Sequence, residues 1–573
     1  MECYFRAFYY AFIFDKIYFV RNRCKKEHDH GHLSESGNEN FRRILCADIY
    51  LDKTELIHVM NQFIDKGNNY VCISRPRRFG KTIAGNMLNA YYSKGCDSRD
   101  MFAPYKIASD PCFYEKLNKY NVIKIDMNSE YQNSLDKDNL INDLSEEIKE
   151  EIIEAYPQAG IKEKDSLAKC ILRVYAATGE TFILLLDEYD VLVREQVSEK
   201  LFQEYLSFLN GLFKSDTLRS AISLSYLTGI LPVVRDKIQS KLNNFREYTI
   251  LDADPMEEFT GFTGEEVQVL CQKYGVDYDE CRLWYDGYHL KDYEVYNPES
   301  VVRCMEKGRF GSYWGQTSSY EAISDRIRQN FAGTKDDVIR MLAGEEIDVD
   351  VSSYLNTMTD FSSKDDTFSY LIHLGYLAYD LTQGTCRIPN KEIREEWFRA
   401  LKKIPDEYAV TTQIIQSSKE LLTQAWEGDE EAVAKALDIS HIHVTSNRSY
   451  NNEDVLQCAI YLAFIYALNR YTVSREIRSR ARTARHECHT HRARKSTGKG
   501  FADVVFIPVK KEDPAMIIEL KRNGSEGSAL DQIKEKRYFE SLSHYQGNLL
   551  FVGINYDEKE KTHTCKIETF EKN

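Results

Sequence analysis

The sequence predicts an α/β protein whose first folded domain is built on a parallel β-sheet. The run Phe182–Leu186 has five consecutive apolar residues and ends at Asp187, a pattern typical of a strand that helices cover on both faces. An earlier run, Tyr70–Ile73, is followed by a turn and then by a helical pattern from 83 to 92. Strands that alternate with helices in this way favour a parallel sheet. With 573 residues, the chain exceeds one hydrophobic core, so two or three domains are expected.

A phosphate-binding loop is predicted between the first strand and its helix, where positions 75–82 read RPRRFGKT. Gly80 would let the backbone approach phosphate groups, Lys81 would reach the β- and γ-phosphates, and Thr82 would ligate Mg²⁺. The helix N-terminus behind the loop adds unpaired N–H groups. The first glycine of the general motif is replaced by Arg75. The predicted nucleotide-binding residues of the loop are Arg77, Arg78, Phe79, Gly80, Lys81 and Thr82.

Acidic residues at the end of the second apolar strand support this site. Asp187 is suited to holding Mg²⁺, and Glu188 to orienting or deprotonating a water molecule, because ligands bind at the carboxyl ends of parallel strands. A strand at 122–126 precedes them, and a strand at 221–227 ends at Thr228. Thr228 is interpreted either as a sensor of the γ-phosphate or as a helix cap. Together these features predict a P-loop NTPase of the ASCE type, with ATP and Mg²⁺ as cofactors.

Composition limits the other classes of function. The net charge of −15 argues against wholesale coating of nucleic acid but not against a local basic groove. The fourteen cysteines have no repeating spacing, which favours reduced thiols in a cytoplasmic protein over a disulfide framework. Charged residues interrupt the aromatic segment 1–20, so neither a membrane span nor a signal peptide is predicted. His28, His30 and His32 are interpreted as part of a linker.

Four regions are predicted along the chain: an N-terminal extension without a folded role (1–39), the ATPase core (40–252), a mostly helical middle region (253–441) and a C-terminal domain (442–573). The middle region contains the aromatic motifs WYDGY at 284–288 and YNPES at 296–300. Clustered aromatic residues beside Asp-Gly and Asn-Pro turns indicate packing at a domain junction. Direct contact with a substrate is the alternative interpretation.

The C-terminal domain carries a second group of candidate residues. Asp503 begins one apolar strand, and Glu519 and Lys521 lie on the next. A pair of hairpin strands would place Asp503 beside Glu519, where two carboxylates can hold Mg²⁺. Lys521 shares a face with Glu519 and would activate water or stabilise charge on a phosphorane-like transition state. Glu453 and Gln532, each on a predicted helix, are further candidates, and a surface hairpin with a Glu–Lys pair is the alternative.

These motifs together resemble the bacterial AAA-ATPase-like proteins that carry a C-terminal PD-(D/E)XK nuclease-superfamily domain. The resemblance covers nearly the whole chain after position 40. It rests on YLDKT at 50–54, RPRRFGKT at 75–82, LDEYD at 186–190, Thr228-Gly229, the two aromatic motifs, IPNKE at 388–392, GKGFAD at 498–503 and IELK at 518–521. In that family Arg75 is the usual residue at its position. The resemblance implies an ATPase core joined through helices to a restriction-endonuclease-like α/β domain.

One departure from the family pattern lies ahead of the Gly-rich turn at 498. Residues 477–497 separate Glu476 from that turn and are rich in arginine, with a His/Cys cluster at 486–491. This basic insertion is interpreted as an arm that contacts phosphates, as a zinc site, or as a solvated or aberrant segment.

Three functions follow from the motifs. The first is an ATP-dependent or ATP-gated nuclease that acts on nucleic acid, with DNA favoured, and that assembles as a homo-oligomer through the ATPase core. The second is a nucleotide switch whose C-terminal domain binds nucleic acid or protein without cleaving it. The third is a signalling ATPase with the middle helices as sensor. Arg77, Arg78 and Arg235 are candidate arginine fingers.

Overall fold

The structure, a computed structural model, describes residues 37–195, 197–232, 244–316, 321–352, 361–444, 453–474, 477–478, 501–502, 504–510, 512–536, 542, 545 and 547–570. Two compact units are present. Unit 1 comprises residues up to 281, 285–318 and 348–389, and unit 2 comprises 282–284, 319–347 and 390 onward. The middle region that was predicted as one helical segment therefore contributes to both units.

Unit 1 is organised around a five-stranded parallel sheet. Its strands are β1 (Tyr70–Ser74), β2 (Asn121–Asp126), β3 (Phe182–Asp187), β4 (Ile222–Gly229) and β5 (Arg246–Tyr248), in the spatial order β2-β3-β4-β1-β5. All residues of β1, β3 and β4 are buried, as expected for strands between two layers of helices. Strand β4, rather than the run at 122–126, separates the phosphate-loop strand from the acidic strand.

Helices cover both faces of this sheet because strand residues alternate between two apolar clusters. One cluster takes Cys72, Leu184 and Leu186, and the other takes Ile73, Ile183 and Leu185. The α-helices in this part of the chain are Glu39–Leu45, Glu55–Asn61, Lys81–Tyr92, Arg99–Phe102, Phe113–Lys116, Met127–Asn133, Leu140–Ala155, Leu167–Thr178, Val191–Arg194, Glu199–Phe213 and Asp216–Arg219, with 3-10 turns at Lys106–Ser109, Lys137–Asn139 and Pro157–Ala159.

The rest of unit 1 contains short strands that the helical prediction for 253–441 missed. Strands β6 (Phe262–Thr263), β7 (Tyr288–Leu290) and β8 (Tyr293–Tyr296) form a small antiparallel sheet. The chain continues through β9 (Ile347–Asp348), and β10 (Ala378–Asp380) pairs with β11 (Thr385–Arg387). The accompanying helices are Gly264–Tyr274, Pro298–Lys307, the 3-10 turn Trp314–Gln316 and Lys364–Leu374, and the helix Tyr278–Tyr285 includes residues 282–284, which belong to unit 2.

Unit 2 consists of helices followed by a mixed five-stranded sheet. Its strands are β12 (Tyr471–Ser474), β15 (Val504–Pro508), β16 (Ala515–Arg522), β17 (Leu549–Asp557) and β18 (Thr562–Phe570), in that spatial order; β13 (Ile477–Arg478) and β14 (Phe501–Ala502) pair separately. Only the β16–β17 pair is parallel. The α-helices are Glu321–Ile327, Thr334–Leu342, Lys391–Leu401, Pro405–Glu427, Glu430–Val444, Glu453–Ala463 and Glu526–Lys536, with a 3-10 turn at Ile465–Asn469.

Both units are thus α/β, and the parallel sheet and the C-terminal mixed sheet agree with the predicted fold class. Among the described residues, ten cysteines are free thiols and eight of these are buried, whereas Cys46 is disulfide-bonded. Within the same residues, no helix combines the length and the apolar character that crossing a membrane would require.

Candidate nucleotide site and nuclease-like site

The phosphate loop connects β1 to the helix Lys81–Tyr92. Gly80 adopts a left-handed conformation with φ +83°, which costs glycine little because it has no Cβ. The ammonium group of Lys81 donates to the carbonyl oxygens of Arg75, at 3.0 Å, and Pro76, at 2.8 Å. Lys81 is buried, whereas Thr82 is exposed at the start of the helix. Burial lowers the pKa of Lys81 to about 8, although the nearby carboxylates of Asp187 and Glu188 act in the opposite direction.

Arg75, which occupies the position of the missing glycine, is completely buried. Its guanidinium donates to the carbonyl oxygens of Ser74 and Tyr248, both at 2.9 Å, and to that of Met256 at 3.5 Å. Burial lowers the pKa of Arg75 to about 10. The side chain therefore links the start of the loop to the end of β5 and to the segment that follows it, and it does not line the cavity that the loop borders.

The other side chains of the loop contact elements that follow the parallel sheet. Nη1 of Arg78, a residue with φ +67°, lies 2.7 Å from Oε1 of Glu299. Asn297 donates its side-chain amide to the Arg77 carbonyl at 3.2 Å. The ring of Phe79 lies edge-on to that of Tyr288, with centroids 5.5 Å apart. The second aromatic motif thus supplies direct partners to the phosphate loop, and Tyr288 of the first packs against it.

At the end of β3, Asp187 lies next to the neighbouring strand tip. Its Oδ1 accepts hydrogen bonds from the Thr228 hydroxyl and, at 3.0 Å, from the Glu188 amide. Asp187 and Thr228 are 5% and 2% exposed. Thr228 is therefore oriented by Asp187, and among the described residues its hydroxyl bonds to this carboxylate.

The turn after Asp187 places Glu188 with φ +50°, a left-handed conformation that is uncommon outside glycine. Oε2 of Glu188 accepts from Nη2 of Arg194 at 2.8 Å, and Nε of Arg194 donates to Asp190 at 3.0 Å. Asp190 also accepts the amides of Ile230, at 3.1 Å, and Leu231, at 2.9 Å. Sequence reasoning assigned neither Asp190 nor Arg194, although the LDEYD motif and an arginine four residues later were visible.

Gly229 explains why this turn can pack against the tip of β4. A Cβ at Gly229 would lie 2.5 Å from Cε1 of Tyr189 and 2.9 Å from Oδ1 of Asp190. Tyr189 donates its amide to the Thr228 carbonyl at 3.0 Å and its hydroxyl to the Leu231 carbonyl at 2.6 Å. Glycine is required here by close approach.

The phosphate loop and Glu188 border a cavity of about 800 Å³, all of it within unit 1. Gly80, Lys81, Thr82, Glu188 and Arg194 line its polar part. Its apolar lining includes Ile44, Ile49, Leu51, Ile83, Met87 and Phe259. A polar end joined to an apolar wall suits a ligand that has phosphate groups and a flat base.

The residues present fit a magnesium ion at this site. Oδ2 of Asp187 is buried and has no hydrogen-bond partner among the described residues, so this oxygen is available to a cation or to its bound water. Together with the exposed hydroxyl of Thr82, it would hold Mg²⁺ beside the phosphates. The described residues contain no cluster of three or more His, Cys, Asp or Glu side chains suited to a metal ion.

In unit 2, the structure brings together three of the candidates for the nuclease-like site. Glu519 and Lys521 both lie on β16, and Nζ of Lys521 lies 3.1 Å from Oε1 of Glu519. Gln532, on the helix Glu526–Lys536, bridges them by accepting from Lys521 and donating to Glu519. Glu519 is 2% exposed. The site therefore has a buried carboxylate with a lysine and an amide beside it.

The candidate Asp503 lies outside the described residues, as do Glu476 and most of the insertion 477–497. Val504 pairs with Ile518 across β15 and β16. The helix Glu453–Ala463 begins at the candidate Glu453. The extension 1–36, with its three histidines, and the finger candidate Arg235 also lie outside the described residues.

Residues 36–239 match the family described as predicted AAA-ATPase, and residues 484–566 match the PD-(D/E)XK nuclease superfamily. An uncharacterized protein in the vnfD 5' region of Azotobacter chroococcum mcd 1 is 24% identical over 312 residues, which are 52% of this chain and 56% of that protein. The chain thus spans little more than half the length of this relative.

Solved structures with some similarity include Cdc6p from Pyrobaculum aerophilum, at 11% identity over 68% of this chain and 99% of that one, with a TM-score of 0.23. ORC2 from Aeropyrum pernix, in ADPNP–ADP complexes, is 10% identical over 65% and 94%, with a TM-score of 0.28. DnaA from Aquifex aeolicus bound to AMPPCP is 13% identical over 66% and 94%, with a TM-score of 0.21.

Proposed function

We propose that this chain, which belongs to the AAA-ATPase-like proteins with a C-terminal PD-(D/E)XK nuclease-superfamily domain, hydrolyses ATP and couples its nucleotide state to a Mg²⁺-dependent nuclease site that acts on DNA. The observation that carries the ATPase part is the cavity in which the phosphate loop meets Glu188. Lys81 and Thr82 would bind the phosphates, and Mg²⁺, when bound, would neutralise part of their charge.

Glu188 is the residue proposed to orient the attacking water. Its Oε2 pairs with Arg194, and its side chain is 30% exposed, so one carboxylate oxygen remains for a water molecule. Asp187, together with Thr82, would hold Mg²⁺, and Thr228, which donates to Asp187, would lie beside the γ-phosphate. In this assignment Lys81 would bind phosphate, Asp187 would hold the metal ion and Glu188 would orient the water. Loss of each side chain should therefore affect ATP binding and ATP hydrolysis differently.

Two substitutions test the ATPase assignment. Lys81→Ala should abolish ATP turnover because it removes the positive charge at the developing phosphate. Glu188→Gln should keep ATP binding but stall hydrolysis. Turnover by the wild-type protein is measured first by phosphate release, and nucleotide binding by calorimetry. Unchanged hydrolysis in either variant would remove that residue from the site.

The nuclease part of the proposal assigns Asp503 and Glu519 to the metal and Lys521 to the attacking water or the scissile phosphate. The support is the clustering of Glu519, Lys521 and Gln532 on adjacent elements. Linear, circular and single-stranded DNA, and RNA, are incubated with the protein and Mg²⁺ or Mn²⁺, with and without ATP. We expect the wild-type protein to cleave at least one of these substrates and Asp503→Ala to cleave none.

A nucleotide switch without cleavage is the second candidate function. The observation that favours it is the attachment of the phosphate loop to the helix Pro298–Lys307 through Arg78 and Glu299, because this contact can respond to a bound phosphate. Absence of cleavage of every substrate, together with ATP-dependent binding to DNA or to a partner protein, would select this function.

A further inference from the structure

We propose that Arg194 is a catalytic residue that contacts the transferring γ-phosphate in cis, as an arginine finger supplied by the same chain. The proposal rests on the proposed ATPase function. It gives a catalytic role to Arg194, a largely buried cation that lies outside the phosphate-loop motif. Arg194 ends the short helix Val191–Arg194, six positions after Glu188, and it lines the same cavity as Lys81 and Thr82.

The position of Arg194 is fixed by its contacts with two carboxylates. Its side chain is 7% exposed, with Nη2 2.8 Å from Glu188 and Nε 3.0 Å from Asp190. Asp190 is itself held by the amides of Ile230 and Leu231. The guanidinium therefore has a rigid anchor on one side and the proposed water-orienting residue on the other.

Arg194 has donors left for a ligand. A guanidinium carries five N–H groups in a planar fork, and the described residues take one at Nε and one at Nη2. A planar donor set of this kind matches the oxygens of a phosphate group. Since Arg194 lines the cavity, the remaining N–H groups are available to an anion there.

Arg194 and Lys81 both line the nucleotide cavity. Two cations on the lining of one cavity attract an anion there more strongly than either does alone, because their Coulomb energies add. Asp187, Glu188 and Asp190 balance them in the absence of nucleotide. A γ-phosphate between Lys81 and Arg194 would be neutralised from two sides.

In the proposed step, the oxygen of a water molecule attacks the γ-phosphorus, and the bond from this phosphorus to the β–γ bridging oxygen breaks. Glu188 accepts a proton from the water, and the products are ADP and inorganic phosphate. Arg194 stabilises the charge on the equatorial oxygens of the phosphoryl group during the transfer, as arginine fingers do.

Neither of the other described finger candidates is placed in this way. Arg77 is exposed, and Arg78 pairs with Glu299. Among the described contacts of these two arginines, none is with Glu188. Arg194 is the described arginine that contacts the proposed water-orienting residue.

The test compares the full-length wild type with Arg194→Gln and Arg194→Lys. Phosphate release gives kcat and KM, and calorimetry gives the affinities for ADP and for ADP with aluminium fluoride. We expect kcat to fall by about 10³–10⁵-fold, ADP affinity to change less than about threefold, and the preference for the aluminium fluoride complex to disappear. Arg173→Gln is the matched control, since Arg173 pairs with Asp165 at 2.5 Å outside the cavity.

Arg194→Lys keeps a positive charge beside Asp190, so it should fold even where Arg194→Gln does not. Its ADP binding and melting curve establish that it is folded.

Mixing Arg194→Lys with Glu188→Gln then separates cis from trans action. No recovery of turnover is expected, whereas recovery would overturn the cis assignment. If the wild type hydrolyses ATP and Arg194→Lys has the same kcat and the same affinity for ADP with aluminium fluoride, the role of Arg194 is overturned and the proposed ATPase function stands. If the wild type does not hydrolyse ATP, the proposed ATPase function itself is overturned.

Discussion

Nη1 of Arg78 lies 2.7 Å from Oε1 of Glu299, and this ion pair joins the phosphate loop to the helix Pro298–Lys307. The same carboxylate oxygen also lies 2.6 Å from Nε of Arg303. Both Arg78 and Glu299 line the nucleotide cavity and are about one-third exposed. A carboxylate on the cavity wall opposes the entry of phosphates and occupies a cation that could otherwise contact them.

We therefore expect Glu299→Gln to raise the affinity for ATP. The change removes a negative charge from the cavity and frees Arg78 for a phosphate oxygen; an exposed pair of this kind corresponds to roughly a two- to fivefold change. Calorimetry at two salt concentrations measures the effect, which should diminish with added salt. Glu306→Gln, exposed on the same helix and outside the cavity, is the control. A lower affinity for ATP in Glu299→Gln would contradict this role of the ion pair.

The lowered pKa of Lys81, about 8, predicts that nucleotide affinity depends on pH. Below pH 8 the lysine of the free protein is protonated and ready to bind phosphate. Above pH 8 it is neutral, and because bound phosphates raise its pKa, nucleotide binding must then take up a proton. ATP affinity should fall as pH rises from 8 towards 10.

Calorimetry in two buffers with different ionisation enthalpies measures this proton uptake. Lys81→Arg is the comparison, because a guanidinium stays charged over this pH range. Any nucleotide binding that remains in this variant should occur without the proton uptake expected for Lys81. Wild-type affinity that stays constant from pH 7 to pH 10, without proton uptake, would disprove the prediction.

The close contact of Gly229 with Tyr189 predicts that Gly229→Ala disturbs the catalytic turn. The added Cβ would lie 2.5 Å from the Tyr189 ring, so the turn that carries Glu188 must shift. We expect a loss of about 1–3 kcal/mol in the free energy of unfolding and a larger loss in kcat than in ATP affinity.

Gly211→Ala is the matched control for Gly229→Ala. A Cβ at Gly211, inside the helix Glu199–Phe213, meets no atom within 4 Å, so this change should stabilise the protein by about 0.5–1 kcal/mol. Chemical denaturation and steady-state turnover test both variants. If the two variants had equal free energies of unfolding, the contact between the added Cβ and Tyr189 would not destabilise the protein, and the prediction would be wrong.

In the nuclease-like domain, Gln532 contacts both Glu519 and Lys521. Lys521→Ala should eliminate metal-dependent cleavage, and Gln532→Ala should reduce it by about tenfold by releasing the lysine and the carboxylate from their positions. The ATPase rate should stay unchanged. Lys534→Ala removes an exposed lysine of the same helix that pairs with Glu568 and should cleave normally. Full cleavage by Lys521→Ala would exclude this lysine from the reaction.

Local pattern was enough to predict the elements that carry the site. The apolar runs correspond to β1, β3 and β4 within one or two residues at each end, and the helical pattern from 83 to 92 lies within the observed helix Lys81–Tyr92. Such runs are readable because burial on both faces requires apolar residues at every position. The short strands between 262 and 387 were missed, since strands of two to four residues carry too little periodicity to detect.

The sequence by itself determined the two α/β domains, the phosphate loop, the acidic strand end and the Glu519–Lys521 pair, because each is encoded by residues close together in the chain. Only the tertiary structure decided which distant groups meet them. It placed Arg75 on the Tyr248 carbonyl and Arg78 on Glu299. It also showed that Gly229 must lack a Cβ. These contacts join segments that are between about 40 and 220 positions apart, and burial and close packing, not local pattern, select such pairs.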